Sequence, residues 1–329
     1  MTQEIVIGID GGGTSTRVMA ADLTGNILGY VESGTARLDK HQDALQNVQG
    51  AIADVVLASQ RTFADVACIV AGIAGLNCEN DKAWARSLTQ LPGVECRRRH
   101  VNDAVIAHAG ALQSNPGIIV ISGTGSVVYG VTDARRHIRN YDMQHYANSG
   151  ARHIAYAAIF QILAGENTPA DEPLIAQVLD HWQVPTLDML RDMLTYENTG
   201  AHEVDWAHVG QLAPIITEAA MKGVPIAKRA CDRAADELSV GIRLIGSHFG
   251  TASVDVAFIG SVIRSRYMRL ATGARLQIQS ANKSYHVVES VFSSQVGAVL
   301  LALEELDIPL TENVMTNIRR HPKSILLDE

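Results

Sequence analysis

Cysteine is sparse and unpatterned in this chain. Cys68, Cys78, Cys96 and Cys231 show neither CxxC nor CxH spacing, which sets aside a zinc site and a disulfide framework. Cys68 sits in an apolar run and reads as a buried free thiol. A basic excess is missing too. The formal net charge is −8, and a nucleic-acid partner would need a basic surface. The one dense basic cluster, Arg97-Arg98-Arg99-His100, is short, and the solvated end of a strand accounts for it. The start, Met1-Thr-Gln-Glu4, has no cationic stretch followed by an apolar one, so no secretion signal is expected. Residues 104–132 contain no Asp, Glu, Lys or Arg, but His108, Gln113, Asn115-Pro116 and several glycines divide them into a helix and two strands. That is not a membrane span. A cytoplasmic protein that engages neither membrane nor nucleic acid is expected. Gly-Lys-Ser/Thr is also absent where the first glycines occur, so a Walker-type loop lacks its lysine.

What is present suits two substantial cores: 329 residues, 47% of them hydrophobic. The chain is organised around Ile5-Val-Ile-Gly-Ile-Asp10-Gly11-Gly12-Gly13-Thr14-Ser15-Thr16-Arg17. A short apolar strand ends here in an acidic residue, three glycines and three hydroxyls. Glycine permits positive φ and close approach of a ligand to the amides. Successive N–H groups in such a turn form an anion site, and an aspartate at the strand end can hold Mg²⁺. A phosphate grip with a metal at Asp10 is the expectation. The alternative is an ordinary glycine-rich hairpin with Asp10 capping the turn.

Residues 4–9, 17–22 and 26–32 read as strands, with Asp22-Leu-Thr-Gly25-Asn26 as a hairpin turn. A strand rather than a helix follows the glycines, which excludes Rossmann and P-loop units. Leu45, Val48, Ile52, Val55 and Val56 give Leu38–Gln60 a helical face. Ala67–Gly75 is a continuously apolar strand, suited to a parallel position covered on both faces. A helix around 80–91 and a strand near 95–101 complete a βββαβαβ order. The outline then repeats. Gly117–Ser122, Gly123-Thr124-Gly125 and Ser126–Gly130 again build strand, glycine-and-hydroxyl turn, and strand. Two such turns, each opening its own half, suggest a duplication with ligand held between the halves. Residues 151–250 are mainly helical, with Val204–Met221 broken at Gly223-Val-Pro225 and Ile226–His248 presenting Ala227, Ala230, Ala234, Leu238 and Ile242 on one face. Strands follow at Val254–Ser261 and Tyr285–Val288, then a helix over Gln295–Leu303 whose small residues permit close packing.

In order and spacing the motifs resemble the BadF/BadG and N-acetylglucosamine kinase family of the actin-like ATPase superfamily, over nearly the whole chain. Asp10-Gly-Gly-Gly-Thr-Ser-Thr16 is similar to the family's first phosphate motif and Ser122-Gly-Thr-Gly-Ser126 to its second. Ala71-Gly-Ile-Ala-Gly-Leu-Asn77 resembles its small-residue strand end, and Asn102-Asp103-Ala104 the motif bearing its catalytic aspartate. Ile259-Gly260-Ser261-Val262 resembles the adenosine motif and Gly297-Ala298 the closing helix. The resemblance implies an α/β fold of duplicated actin-like, ribonuclease H-like domains with a cleft between them. The domains are expected at 1–114 and 115–329, with a helical insertion in the second and the last helix able to pack back on the first. It further implies an ATP-dependent kinase acting on a hydroxyl of a small sugar, with ATP and Mg²⁺. Gly11, Gly12, Gly13, Thr14, Ser15 and Thr16 would hold the phosphates from one side, and Gly123, Thr124, Gly125 and Ser126 from the other. Gly260 and Ser261 would let the adenosine pass close to backbone. Asp10 would orient Mg²⁺ and Asp103 would be general base toward a sugar hydroxyl, the 6-OH of a hexose being expected. Asp103 has a second reading as a helix N-cap, and Ser122 and Ser126 as plain turn residues.

Two departures bear on the acceptor. Gly34-Thr-Ala-Arg37-Leu38 stands where the family has an asparagine at the sugar. In Tyr141–Arg152, Gly150 matches the family's Gly-Asp-Glu-Gly-Ser, while Asn148 replaces the aspartate and Ser149 the glutamate. Arg37, Asp103, Asn148 and Gly150 are therefore the candidate sugar contacts. A less acidic pocket with Arg37 suits an anionic or differently substituted sugar, because arginine pairs bidentately with carboxylate; otherwise Arg37 is a surface residue. A homodimer is compatible with the resemblance. Two other functions share parts of this pattern: an ATPase activating a dehydratase, which needs clustered cysteines for an iron–sulfur centre, and a non-catalytic nucleotide- or sugar-sensing protein.

Overall fold

A computed structural model describes residues 3–38, 41–194, 206–278 and 283–325. The chain divides into two compact units, Met1–Pro116 with Glu289–Glu329, and Gly117–Val288. The domain expected over 115–329 therefore stops short of the C-terminus: residues 289–329 group with the first unit.

In the first unit, β1 (Ile5–Gly11), β2 (Thr16–Asp22) and β3 (Ile27–Ser33) form an antiparallel meander, and β4 (Val66–Ile73) and β5 (Arg97–Asn102) add in parallel, giving the order β3-β2-β1-β4-β5. The β2–β3 turn closes as its sequence requires. Gly25 takes φ +88°, and the Asp22 carboxylate accepts the N–H groups of Thr24 and Asn26 at 2.9 Å each. Helix α1 (Ala44–Ala58) buries Val48, Ile52, Val55 and Val56 against the face of the sheet formed by Ile5, Ile7 and Ile9. A short α2 (Lys82–Ser87) follows β4, and α3 (Asp103–Leu112) follows β5 directly.

The second unit repeats the first strand for strand. β6 (Gly117–Ser122), β7 (Ser126–Val131) and β8 (His137–Arg139) are antiparallel, and β9 (Ser253–Ile259) and β10 (Ser284–Val288) add in parallel in the order β10-β9-β6-β7-β8. Between β8 and β9 lie α4 (Ala151–Leu163), α5 (Glu172–His181), α6 (Leu187–Met193), α7 (Trp206–Gly210), α8 (Ala213–Met221) and α9 (Pro225–Gly246). The start of the helix expected at Val204 lies outside the described residues. α9 buries Ala227, Ala230, Ala234, Leu238 and Ile242, the face its periodicity predicts. Pro225 at its first turn and Gly223 at φ +86° separate it from α8. After β9 come α10 (Ser261–Arg264) and α11 (Arg266–Gln277).

The chain returns to the first unit with α12 (Ser294–Glu305) and α13 (Glu312–Arg319). α12 packs on β1, β4 and α3 in a core of Val6, Val70, Ile106, Val296, Val299 and Leu300. The small residues read as permitting close packing are used for it. A Cβ on Gly8 would stand 2.6 Å from both the Gln295 carbonyl oxygen and the Val299 nitrogen. Among the described residues, no helix is long and apolar enough to cross a membrane.

Candidate active site

The first glycine turn joins β1 to β2, with Gly11 opposite Thr16 and Asp10 opposite Arg17. The Gly12 N–H donates to the Ser15 carbonyl at 2.9 Å and closes the turn. None of Gly11, Gly12 or Gly13 takes positive φ, so left-handed backbone is not why glycine stands there. Gly11 is needed for space, since a Cβ would lie 2.7 Å from Ile73 Cδ1 and 2.8 Å from Ala36 Cβ. Gly13 is different: a Cβ there would meet nothing within 4 Å. In the second unit, Gly123-Thr124-Gly125 joins β6 to β7, and Gly123 and Gly125 are equally unconstrained by φ or neighbours. Among the described residues, no intramolecular hydrogen bond takes the N–H of Gly13, Thr14, Thr124 or Gly125. Both turns thus present bare amides at or beside Gly13, Gly123 and Gly125, positions where the fold itself has no call for glycine.

The hydroxyls are more occupied than the turns suggest. Thr16 is the exception: it is fully buried and its hydroxyl has no hydrogen-bond partner among the described residues. Ser122 Oγ donates to the Ser149 carbonyl at 2.7 Å. Ser126 Oγ donates to the Ala147 carbonyl and accepts the Ser149 N–H at 3.4 Å. These serines brace the 147–150 segment against the turn. Gly150, the N-cap of α4, sits so close that a Cβ would be 2.7 Å from the Thr124 carbonyl oxygen. Gly260, at φ +100°, would place a Cβ 2.6 Å from the Ser122 carbonyl oxygen, so it needs glycine on both counts. Asn148 is exposed, and its N–H donates to Glu237 at 2.8 Å. Gly123–Ser126, Asn148, Gly150 and Gly260-Ser261 thus lie together within the second unit.

In the first unit the acidic residues converge. Burial pushes the Asp10 carboxyl up to about 6; Arg17 opposes the shift and the negative charge of Asp103 adds to it. Arg17 Nη1 lies 3.5 Å from Asp10 Oδ2. Asp103 is also raised by burial, against the pull of backbone N–H groups and of Arg37. The N-cap of α3 is Asn102, not Asp103: its side chain accepts the Ala104 N–H at 3.0 Å. Asp103 occupies the first helical position, where its Oδ1 shares the Ala104 N–H at 3.0 Å. Arg37 is half-buried against Gly75. Its loop is tied to the grip through the Ala36 N–H to the Gly12 carbonyl at 3.1 Å. Two residues were missed as contributors, Arg17 and Asn102. Hairpin register places Arg17 opposite Asp10, and the preference of Asn for helix caps points to Asn102.

Among the described residues, no group of three or more His, Cys, Asp or Glu could hold a metal. The pair Asp10 and Asp103 nonetheless fits Mg²⁺, which is bound through one or two carboxylates with waters and substrate phosphates. Burial raises both carboxyls and the charge of Asp103 raises Asp10 further, a cost that a cation would relieve.

Two units of matching strand order, each with a bare glycine turn at the same place, make up the actin-like ATPase fold. The chain belongs to the BadF/BadG/BcrA/BcrD ATPase family, whose profile matches residues 7–302. It is 26% identical over 245 residues to an N-acetylmuramic acid/N-acetylglucosamine kinase of Clostridium acetobutylicum, covering 73% of this chain and 78% of that one. It is 31% identical over 141 residues to an N-acetyl-D-glucosamine kinase of Dictyostelium discoideum, covering 40% of this chain and 44% of the relative. A solved structure described as an N-acetylglucosamine kinase from Chromobacterium violaceum superposes with a TM-score of 0.69 at 22% identity, over 91% of this chain and 99% of that one. That likeness is one of fold.

Proposed function

We propose that this chain is an ATP-dependent kinase that phosphorylates a hydroxyl of an N-acetylated amino sugar. The observation that carries the reading is the placement of Asp103. It begins a helix that Asn102 already caps, and lies within electrostatic reach of Asp10 and Arg37. A carboxylate not needed for the cap is available as a base.

In the reaction, the sugar hydroxyl oxygen attacks the γ-phosphorus, the bond to the β-phosphate oxygen breaks, and the hydroxyl proton passes to Asp103. The bare amides of Gly13-Thr14 and Thr124-Gly125 would receive phosphate oxygens, each within its own unit. Asp10 would hold Mg²⁺, which when bound neutralises charge on the transferring phosphates. Gly260 keeps a side chain off the β6 end, leaving backbone for the adenosine. The acceptor class follows the relatives, which are kinases of N-acetylglucosamine and N-acetylmuramic acid by name.

ADP formation over a panel of neutral, amino and acidic sugars tests the proposal. One N-acetylated hexosamine should raise turnover well above the rate without sugar. Binding of ATP with no acceptor raising ADP formation would count against it.

Gly125→Ala gives a second check. It meets no atom within 4 Å, so stability should be unchanged or higher by up to about 1 kcal/mol. The methyl would stand over the bare amides and weaken ATP, as calorimetric titration would show. Unchanged ATP affinity would remove this turn from the nucleotide site.

A further inference from the structure

The segment Ala147–Gly150 is held from two sides within the second unit. On the side of the glycine turn, Ser126 Oγ donates to the Ala147 carbonyl and Ser122 Oγ to the Ser149 carbonyl at 2.7 Å. The segment fixes the turn in its own right. The Ala151 N–H donates to the Gly123 carbonyl at 2.7 Å, and Gly150 lies against the backbone of Thr124 and Gly125. On the other side, Glu237 Oε2 accepts the Asn148 N–H at 2.8 Å, across 89 residues of sequence. Glu237 is half-buried in the middle of α9, a helix anchored by the buried Ala234, Leu238 and Ile242. A carboxylate has no electrostatic reason to stand beside a turn whose bare amides suit phosphate, since like charges repel. The hydrogen bond to Asn148 supplies one.

We propose that Glu237 is a positioning residue for the nucleotide. Through Asn148 it holds the 147–150 segment, and with it the Gly123–Gly125 turn, in the form that receives phosphate. The inference rests on the kinase reading above, in which this turn binds ATP, and deepens it. A bond from a backbone amide to a carboxylate is charge-assisted and stronger than a neutral one. Without it the segment and the turn would spend part of their time in other arrangements. The apparent Kd for ATP then rises by the inverse of the competent fraction. A carboxylate that only stabilised the fold would leave that fraction unchanged.

The test is calorimetric titration of the full chain with ATP and Mg²⁺. Glu237→Ala keeps a good helix former in α9 and should weaken ATP by roughly 10-fold, the scale of one hydrogen bond to a charged group. Glu237→Met, which keeps the length of the side chain without an acceptor, should match it and serves if the alanine variant does not fold. Glu237→Gln retains an oxygen for the Asn148 N–H and should recover most of the affinity. The sign separates positioning from charge, because removing a negative charge near a phosphate site would by itself tighten ATP in all three variants. Unchanged or tighter binding in Glu237→Ala and Glu237→Met, with Gly125→Ala still weakening ATP, would overturn the proposal and leave the role of the turn standing. Wild-type affinity in Gly125→Ala as well would overturn both. A Glu237→Gln variant as weak as Glu237→Ala would also overturn the proposal, since the bond to Asn148 would then not be the cause.

Discussion

Replacing Asp103 by asparagine is expected to lower kcat for sugar phosphorylation by about 10²- to 10⁴-fold while ATP still binds. The substitution removes the proton acceptor and keeps the size of the side chain. Its structural cost should be small, because the Ala104 N–H that Asp103 Oδ1 accepts is also held by Asn102. The contrasting variant is Asn102→Ala, which removes the cap and should cost about 1 kcal/mol of stability. Stability to urea and the rate of ADP formation separate the two. A wild-type kcat in Asp103→Asn would remove the general base from the mechanism.

The pH dependence follows from the same residue. A base acts only when ionised, and burial raises Asp103 above the ordinary aspartate range. Asp10 stands at about 6 for the same reason. Activity is therefore expected to fall with falling pH in a range higher than that of an exposed carboxylate. Stability should move the other way. Carboxyls raised in the folded state bind protons more tightly there than in the unfolded chain. Their contribution to stability is present below the ordinary aspartate range and is lost as pH rises through about 6. A kcat/KM profile set beside urea midpoints over the same pH range would show the two opposed trends.

How much of this was readable in advance varied with the range of the interaction. The β1–β2 hairpin and its echo at β6–β7 are local, and alternating strand and turn residues announce them. β8 was not read, because His137-Ile138-Arg139 is three residues long with only Ile138 buried. Its place in the sheet comes from pairing with β7, not from its own pattern. The glycines of the first turn were expected for positive φ, and the structure gives them ordinary φ with a Gly12–Ser15 closure instead. Asn102-Asp103 is ambiguous as a string, since either residue can cap a helix; only the hydrogen bond to Ala104 assigns the cap. The employment of Ser126 was invisible, because its partner Ala147 is 21 residues away. Asp10, near the end of β1, and Asp103, at the start of α3 directly after β5, approach each other only once the parallel β1–β4–β5 order exists. That order was implied by the apolar character of Ala67–Gly75 and not by any motif.

Gly297→Ala is expected to destabilise the first unit by about 3 kcal/mol or more, the upper end for an overpacked contact. A Cβ at 297 would fall within the Ile106 carbonyl oxygen and stand 2.5 Å from the Gly110 nitrogen. Those are backbone atoms in the middle of α3 and cannot rotate away. The contact is reciprocal: a Cβ on Gly110 would meet the Ser293 carbonyl, and the Phe292 carbonyl at 3.1 Å. α12 also lies on β1 at Gly8. One helix thus sets the position of α3, which begins with Asp103, and of β1, which ends beside Asp10. Displacing it should lower kcat as well as the urea midpoint, because general-base chemistry depends on sub-ångström placement. The control is Gly50→Ala in α1, in the same unit. There a Cβ meets nothing within 4 Å, and helix propensity should stabilise the protein by up to about 1 kcal/mol. If Gly297→Ala and Gly50→Ala shift the midpoint alike, α12 and α3 are not in backbone contact, and the coupling of this helix to the site falls with it.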